Sequence, residues 1–227
     1  MKDLYIVFGS ETKLLKELFE REGVFFIRIY NNRVPSPLTN AIDVNTLDEF
    51  KAEFEKVFLE RQPKKIIFIG AAFMTQNKLF FQEEQSVVND ILKLNIYDYV
   101  SYAHYLLPFM IKIRNGQFVY LSSFRATATC RGVSLYGASK AFGEKFFEIL
   151  GKENAAFGVY SASIRMGYFD GRMTNVMSAE KIKNFKMSVG NRKLGSSEDL
   201  IKAIDFIIGN KYTNGGTIEL TGGISFN

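Results

Sequence analysis

The sequence predicts an α/β fold: a doubly wound parallel sheet in three layers, with helices covering both faces. Three features predict it. Short continuous apolar runs recur along the chain, as expected of strands buried on both faces. Amphipathic stretches of helical period separate these runs, so parallel strands are joined by right-handed crossovers. Glycines mark several junctions, and no internal repeat, low-complexity tract or Pro/Gly linker divides the chain.

Residues 4–8 form a first strand closed by Gly9. A helix follows over 12–22, with Leu14, Leu15, Leu18 and Phe19 on one face and Gly23 where a C-terminal cap belongs. Residues 24–30 are a second strand and 41–44 a short third. The helix over 46–60 carries Leu47, Phe50, Phe54, Val57 and Phe58. A fourth strand, 65–69, closes at Gly70, and a long helical stretch over 83–114 breaks near Asn95. Strands at 117–121, 156–164 and 217–220 alternate with helices at 135–150 and 199–208. The segment 168–189, mixing Met, Lys and Asn, is expected to form a mobile lid.

The 227 residues suffice for one domain with a sizeable core, and 1–227 is assigned to it. The 22 Phe residues and absent Trp predict a Phe-rich core. Cys130 is the only cysteine, so no internal disulfide forms. The apolar run at the N-terminus is too short for a signal-peptide core or a membrane span, and a cytoplasmic location is expected. Net charge is +5 and the pI about 9.1, yet the lysines are dispersed. No basic stripe is interleaved with aromatics, so neither nucleic acid nor membrane is an expected partner. His104, the only histidine, has no neighbouring ligand residue and predicts no metal site.

Sheets of this type bind ligands beyond the carboxyl ends of their strands, at the switch in strand order. After the fifth strand the chain reads YLSSFRATATCRGVSLYGASKAFGEKFFEIL. Tyr136 and Lys140 lie four apart at the start of a helix, on one face. A cation near a phenol favours the phenolate and lowers its pKa from about 10. A phenol tuned in this way exchanges a proton with a substrate oxygen near neutral pH. Ser123, at the carboxyl end of the preceding strand, can hydrogen-bond the same oxygen.

With Ser123, Tyr136 and Ala138-Ser139-Lys140 in this order, the chain resembles the short-chain dehydrogenase/reductase family along essentially its whole length. Further matches are Asp43-Val44, Asn95, Leu107-Pro108-Phe109-Met110, Gly215-Gly216-Thr217 and Thr221-Gly222-Gly223. The resemblance implies a Rossmann-type fold and an NAD(P)-dependent oxidoreductase, a carbonyl reductase or alcohol dehydrogenase. It implies Tyr136 as general acid/base and Lys140 as the group lowering its pKa and binding the nicotinamide ribose. It implies that Ser123 polarises the substrate oxygen and that Asn95 anchors a water in a proton relay. Cofactor contacts are implied at Gly9, Ser10, Thr12, Lys13, Asn31, Arg33, Asp43, Val44, Gly70, Ala71, Tyr136, Lys140, Met166, Gly167 and Phe169. A homodimer or homotetramer through the Tyr136 helix and the long helix before it is also implied.

The chain departs from the family pattern in places. The expected Gly-x-x-x-Gly-x-Gly appears as Gly9-Ser10-Glu11-Thr12-Lys13-Leu14-Leu15, which keeps only the first glycine. Close approach of backbone to pyrophosphate is therefore in question, although the helix N-terminus, Ser10, Thr12 and Lys13 offer other phosphate contacts. Glu11 works against an anion if it faces one. The Asn-Asn-Ala-Gly segment appears as Ile69-Gly70-Ala71-Ala72, and Pro-Gly as Met166-Gly167. The threonine after it aligns with Gly171, with Thr174 as a substitute only if the loop shifts. No acid follows the second strand in RIYNNR. Arg33 there favours NADP by meeting a 2′-phosphate, but equally suits a solvated loop, so NAD stays open.

A small carbonyl or alcohol substrate is expected. Lys181, Lys183, Lys186, Arg192 and Lys193 raise the option of an anionic one: a sugar phosphate, nucleotide sugar or carrier-bound acyl group. The alternative function is a binding or regulatory protein that keeps the fold and has weak or lost cofactor affinity.

Overall fold

The computed structural model describes residues 3–31, 35–76, 78–171 and 178–224. Seven strands form one parallel sheet: β1 (Asp3–Phe8), β2 (Val24–Ile29), β3 (Ala41–Val44), β4 (Ile66–Gly70), β5 (Gly116–Ser123), β6 (Val159–Met166) and β7 (Thr217–Leu220). Their order is β3-β2-β1-β4-β5-β6-β7, which puts the switch between β1 and β4. The helices are α1 (Lys16–Phe19), α2 (Leu47–Arg61), α3 (Gln85–Leu92), α4 (Asp98–Ile113), α5 (Ser134–Asn154), α6 (Ala179–Ser188) and α7 (Ser197–Gly209). None is long and apolar enough to cross a membrane among the described residues.

The continuous apolar runs have a direct cause. Alternate residues of a strand face opposite sides, and both sides are covered. Along β1, Leu4, Ile6 and Phe8 enter one core cluster while Tyr5 and Val7 enter the other. Along β4, Ile66 and Phe68 divide from Ile67 and Ile69 in the same way. The first cluster, under α2, α4 and α5, is the Phe-rich core. Phe8 meets Tyr99 and Tyr102 with ring centroids 5.0 Å apart, and Phe54 meets Phe109 edge-on at 4.9 Å.

Local chemistry sets several boundaries. The Thr46 hydroxyl accepts from the Glu49 N–H at 3.1 Å and caps α2. Ser196 and Asp199 form a reciprocal capping box that starts α7.

Four expectations on element limits change. The helix over 12–22 is a 3-10 turn, Lys13–Leu15, followed by the single turn of α1, because the Thr12 hydroxyl caps the Leu14 N–H two residues on. The break near Asn95 is a π-helical turn, Lys93–Tyr97, joining α3 to α4. The sixth strand begins at Val159, after a 3-10 turn (Ala155–Phe157) closed by Gly158 in the left-handed region. Inside the segment expected as a lid lies α6, whose Phe185 ring stacks on Tyr168 at 4.1 Å.

Candidate active site

The carboxyl edges of β4 and β5 and the first turns of α5 meet at one place. Ser123 ends β5, and its hydroxyl accepts from the Arg125 N–H at 3.2 Å and lies near enough to the Tyr136 phenol to pull its pKa down. Gly137 lets α5 approach this edge, since a Cβ there would lie 2.8 Å from the Arg125 carbonyl oxygen. One turn on, the Lys140 amine donates to the Leu121 carbonyl at 2.9 Å. It lies over the rings of Tyr120 and Phe73, 4.9 and 5.3 Å from their centroids. Tyr136 and Lys140 are both buried.

Asn95 joins the same site from the π turn. Its Oδ1 accepts from the Met74 N–H, and its Nδ2 donates to the Met74 carbonyl, both at 2.8 Å. The same Nδ2 donates to the Ser139 hydroxyl at 2.9 Å, so one carboxamide ties the segment after β4 to α5. A π turn commonly marks a functional place in a helix.

Burial dominates the electrostatics. It pushes the Tyr136 phenol above its ordinary pKa, while the Ser123 hydrogen bond and the Arg125 guanidinium pull it down. Burial also pushes the Lys140 amine down to about 7, against the raising influence of Glu144. In the protein alone, Ser123 and Arg125 are the groups that pull the phenol down. Burial acts on both side chains because a low dielectric disfavours ammonium and phenolate alike. Glu144 is itself held by Arg165, through Nε at 3.0 Å and Nη2 at 2.7 Å, and Arg165 also pairs with Glu219 of β7.

The dinucleotide residues expected from the sequence fall into distinct settings. Gly9 has φ +87°, and a Cβ on it would lie 2.4 Å from the Ala72 N, so only glycine fits where β1 and β4 close together. Gly70 is pressed on by Tyr99, and Ala71 and Ala72 direct their N–H groups to the Phe8 carbonyl at 2.7 and 2.9 Å. Ser10 is buried and its hydroxyl has no partner, an orphaned polar atom at the switch point. Beyond β1, β2 and β3 lies a cavity of about 170 Å³ between Phe8, Tyr30, Asn31, Thr46 and Tyr102. The orphaned Ser10 hydroxyl at the switch point and this cavity fit a dinucleotide. Met166 ends β6, and the Gly167 N–H donates to the Leu220 carbonyl at 2.9 Å.

Other expected contacts sit differently. Thr12 caps the turn through the Leu14 N–H, and Lys13 is exposed on it. Asp43 is clamped by the buried Arg28 through two 2.7 Å bonds, and Val44 is buried in the core. The Phe169 ring is a core residue packed on Gly195, where a Cβ would lie 2.7 Å from it. Asn31 donates its N–H to Glu11 Oε1 at 2.9 Å, so Glu11 turns toward the end of β2. Arg33 and Thr174 lie outside the described residues. The exposed Lys181, Lys183 and Lys186 stand in solvent on α6, so they give no sign of an anion pocket.

Sequence reasoning missed Arg28, Arg125, Glu144 and Arg165. A cation inside an apolar strand run, as in Arg28 and Arg165, was the available signal, because a buried guanidinium requires a partner.

A model described as short chain dehydrogenase matches residues 31–182. The chain belongs to that family. Among curated relatives, the 3-oxoacyl-[acyl-carrier-protein] reductase FabG of Escherichia coli (strain K12) is 24% identical over 182 residues, covering 79% of this chain and 71% of the relative. Nodulation protein G of Rhizobium sp. (strain N33) is 23% identical over 193 residues, 84% of this chain and 76% of the relative. Among solved structures, a short chain dehydrogenase from Leptospira borgpetersenii with bound NAD+ superposes with a TM-score of 0.86 at 16% identity, covering 100% of this chain and 94% of that one. ElxO with NADP bound gives a TM-score of 0.83 at 16% identity over 98% of both chains. Both structures share the fold of this short chain dehydrogenase.

Proposed function

We propose that the chain is an NAD(P)-dependent oxidoreductase that moves a hydride between a nicotinamide and a carbonyl or secondary alcohol, with Tyr136 as general acid/base. One observation carries the reading: Ser123, Tyr136 and the buried Lys140 gather at the carboxyl edge of the sheet, with Ser123 near enough to the Tyr136 phenol to pull its pKa down. Family membership and relatives named as reductases support it. The dinucleotide, when bound, supplies the hydride donor or acceptor.

Gly9, Ser10, Gly70 and Ala71 would hold the pyrophosphate side, and the cavity beside Tyr30 and Thr46 would receive the adenosine. Met166 and Gly167 would border the nicotinamide. Ser123 orients the substrate oxygen. Tyr136, kept protonated by burial, gives its proton to that oxygen in reduction, and Ser123 and Arg125 stabilise the phenolate left behind. Lys140 stands close behind as the group that restores the proton. Asn95 holds the Met74 segment and α5 in register around it.

Two charges of opposite sign bear on cofactor choice. Arg33 favours NADP, and the Glu11 carboxylate at the Asn31 N–H favours NAD. A homodimer or homotetramer and a cytoplasmic location belong to the same reading; Phe142 and Ile149 are exposed apolar residues on α5 for such contacts.

A second reading, a binding or regulatory protein on this fold, is favoured by Leu15, which occupies the place of the third loop glycine and is wholly buried. Titration with NADPH and NADH, followed by fluorescence or thermal shift, decides between them. Binding of one cofactor, with Tyr136→Phe abolishing turnover of a carbonyl panel while cofactor affinity holds, is the expected result. No binding of either at millimolar concentration sinks the enzyme reading.

A further inference from the structure

Four described arginines are withdrawn from solvent at least in part: Arg21, Arg28, Arg125 and Arg165. Three of them pair with carboxylates, Asp205, Asp43 and Glu144 respectively. Arg125 pairs with none among the described residues. Its guanidinium meets only the edge of a hydrogen bond to the Tyr168 hydroxyl, at 3.4 Å, and the face of Phe124, 4.5 Å from the centroid.

The position of this cation is the second observation. Arg125 follows Ser123 by two residues, and its charge reaches the Tyr136 phenol. It also lines a cavity of about 320 Å³ with Thr127, Thr129, Cys130, Ser134 and Gly137, the last two on the first turns of α5, which also carry Tyr136. That volume lies at the small end of ligand sites, and the threonine and serine side chains bring hydroxyls to its walls. A guanidinium partly stripped of water and without an anion gains most from a planar, bidentate acceptor.

We propose that Arg125 is the anion-binding residue of the substrate pocket, and that the substrate is a small carbonyl compound bearing a carboxylate, an oxo acid or its hydroxy acid. The inference rests on the oxidoreductase reading above. In the reductive direction the reduced nicotinamide gives a hydride to the carbonyl carbon and becomes oxidised. The C=O π bond breaks, and its oxygen takes the Tyr136 proton to give the hydroxy acid. Arg125 holds the carboxylate, which is unchanged by the step.

The test compares pyruvate, acetoacetate and levulinate with their methyl esters, and acetoacetate with an acetoacetyl thioester. Two readouts are used: kcat/KM, and calorimetric binding to the protein with oxidised cofactor. For the best acid, the acid-to-ester ratio is expected at about 100, the size of one desolvated charge pair. Arg125→Met brings that ratio to about 1, while Arg125→Lys keeps part of it, as a point charge without the fork does. An acid-to-ester ratio near 1 in the native chain, or one that Arg125→Met does not change, overturns the assignment. Preference for the thioester over acetoacetate overturns it as well, as does tighter Arg125-dependent binding of dihydroxyacetone phosphate. Turnover of neutral esters that depends on Tyr136 would leave the oxidoreductase reading standing after such a failure. Arg125-dependent binding of an acid without any turnover would uphold the anion site and sink that reading instead.

Discussion

The Lys140 amine and the Leu121 carbonyl are joined at 2.9 Å over the Tyr120 ring, and the lysine stem is out of solvent along its length. With the folded-state pKa lowered to about 7 by burial, the unfolded chain binds the extra proton between there and the ordinary lysine value of 10.5. Stability therefore rises with pH through that window and is lowest below it, where the buried amine carries its charge. Lys140→Met lacks this slope. Urea unfolding at pH 6 and pH 9 should show the variant losing roughly 2 kcal/mol relative to the native chain on going to the higher pH. A gap that does not change with pH would mean that the amine is not desolvated as described.

Asn95→Ala removes three hydrogen bonds at once and leaves the Met74 N–H and carbonyl without their partner. A loss of about 2–3 kcal/mol is expected in chemical unfolding, from desolvated backbone groups left unpaired. Ser139→Ala deletes a single one of these contacts and should cost about 1 kcal/mol or less. Equal costs for the two would contradict the bridging role of the carboxamide.

Glu11→Gln keeps an acceptor for the Asn31 N–H and removes the charge. Affinity for NADPH relative to NADH should rise by about 5- to 10-fold, as expected for one charge a few ångströms from a 2′-phosphate at the protein surface. Fluorescence titration of both cofactors reads the ratio, and an unmoved ratio would place the 2′ position elsewhere.

Gly9→Ala and Gly23→Ala separate strain from collision. Both glycines lie at positive φ, but a Cβ on Gly23 meets nothing within 4 Å, whereas one on Gly9 meets the Ala72 backbone at 2.4 Å. The second substitution should cost about 1 kcal/mol. The first should cost roughly 3 kcal/mol or more, since neither backbone can yield, and it should weaken cofactor binding as well.

The strands were legible because each is buried on both faces, which leaves an unbroken apolar run such as that of β1. The nearness of Ser123 to the start of the Tyr136 helix was legible because a strand end and the first turn of a helix are rigidly placed, whereas the roles of Ser123, Tyr136 and Lys140 came from the family resemblance and not from spacing. The irregularity at Asn95 could be located, but its π geometry could not, since the Met74 and Ser139 partners lie far away in sequence. Arg28 and Asp43 are on different strands and sit opposite each other in the register of β2 and β3, which no local pattern reveals. The burial of Tyr136 and Lys140 was not legible, because the sequence displays charges and hides burial. The direction of a pKa shift in an enclosed site follows burial first. The packing of the Phe169 ring on Gly195 joins distant segments, which no local pattern reveals.

Leu15 makes the form of this loop part of the core. Its side chain is wholly buried among Val7, Leu18 and Ile204, so the room beside β1 has been filled. Restoring the glycine at this position would empty that room, at a cost of about 3–5 kcal/mol, before any benefit to a ligand appeared. A single change at this position is therefore opposed by the packing around it. A designer who wants the ordinary loop must replace it together with the helix turn that rests on it.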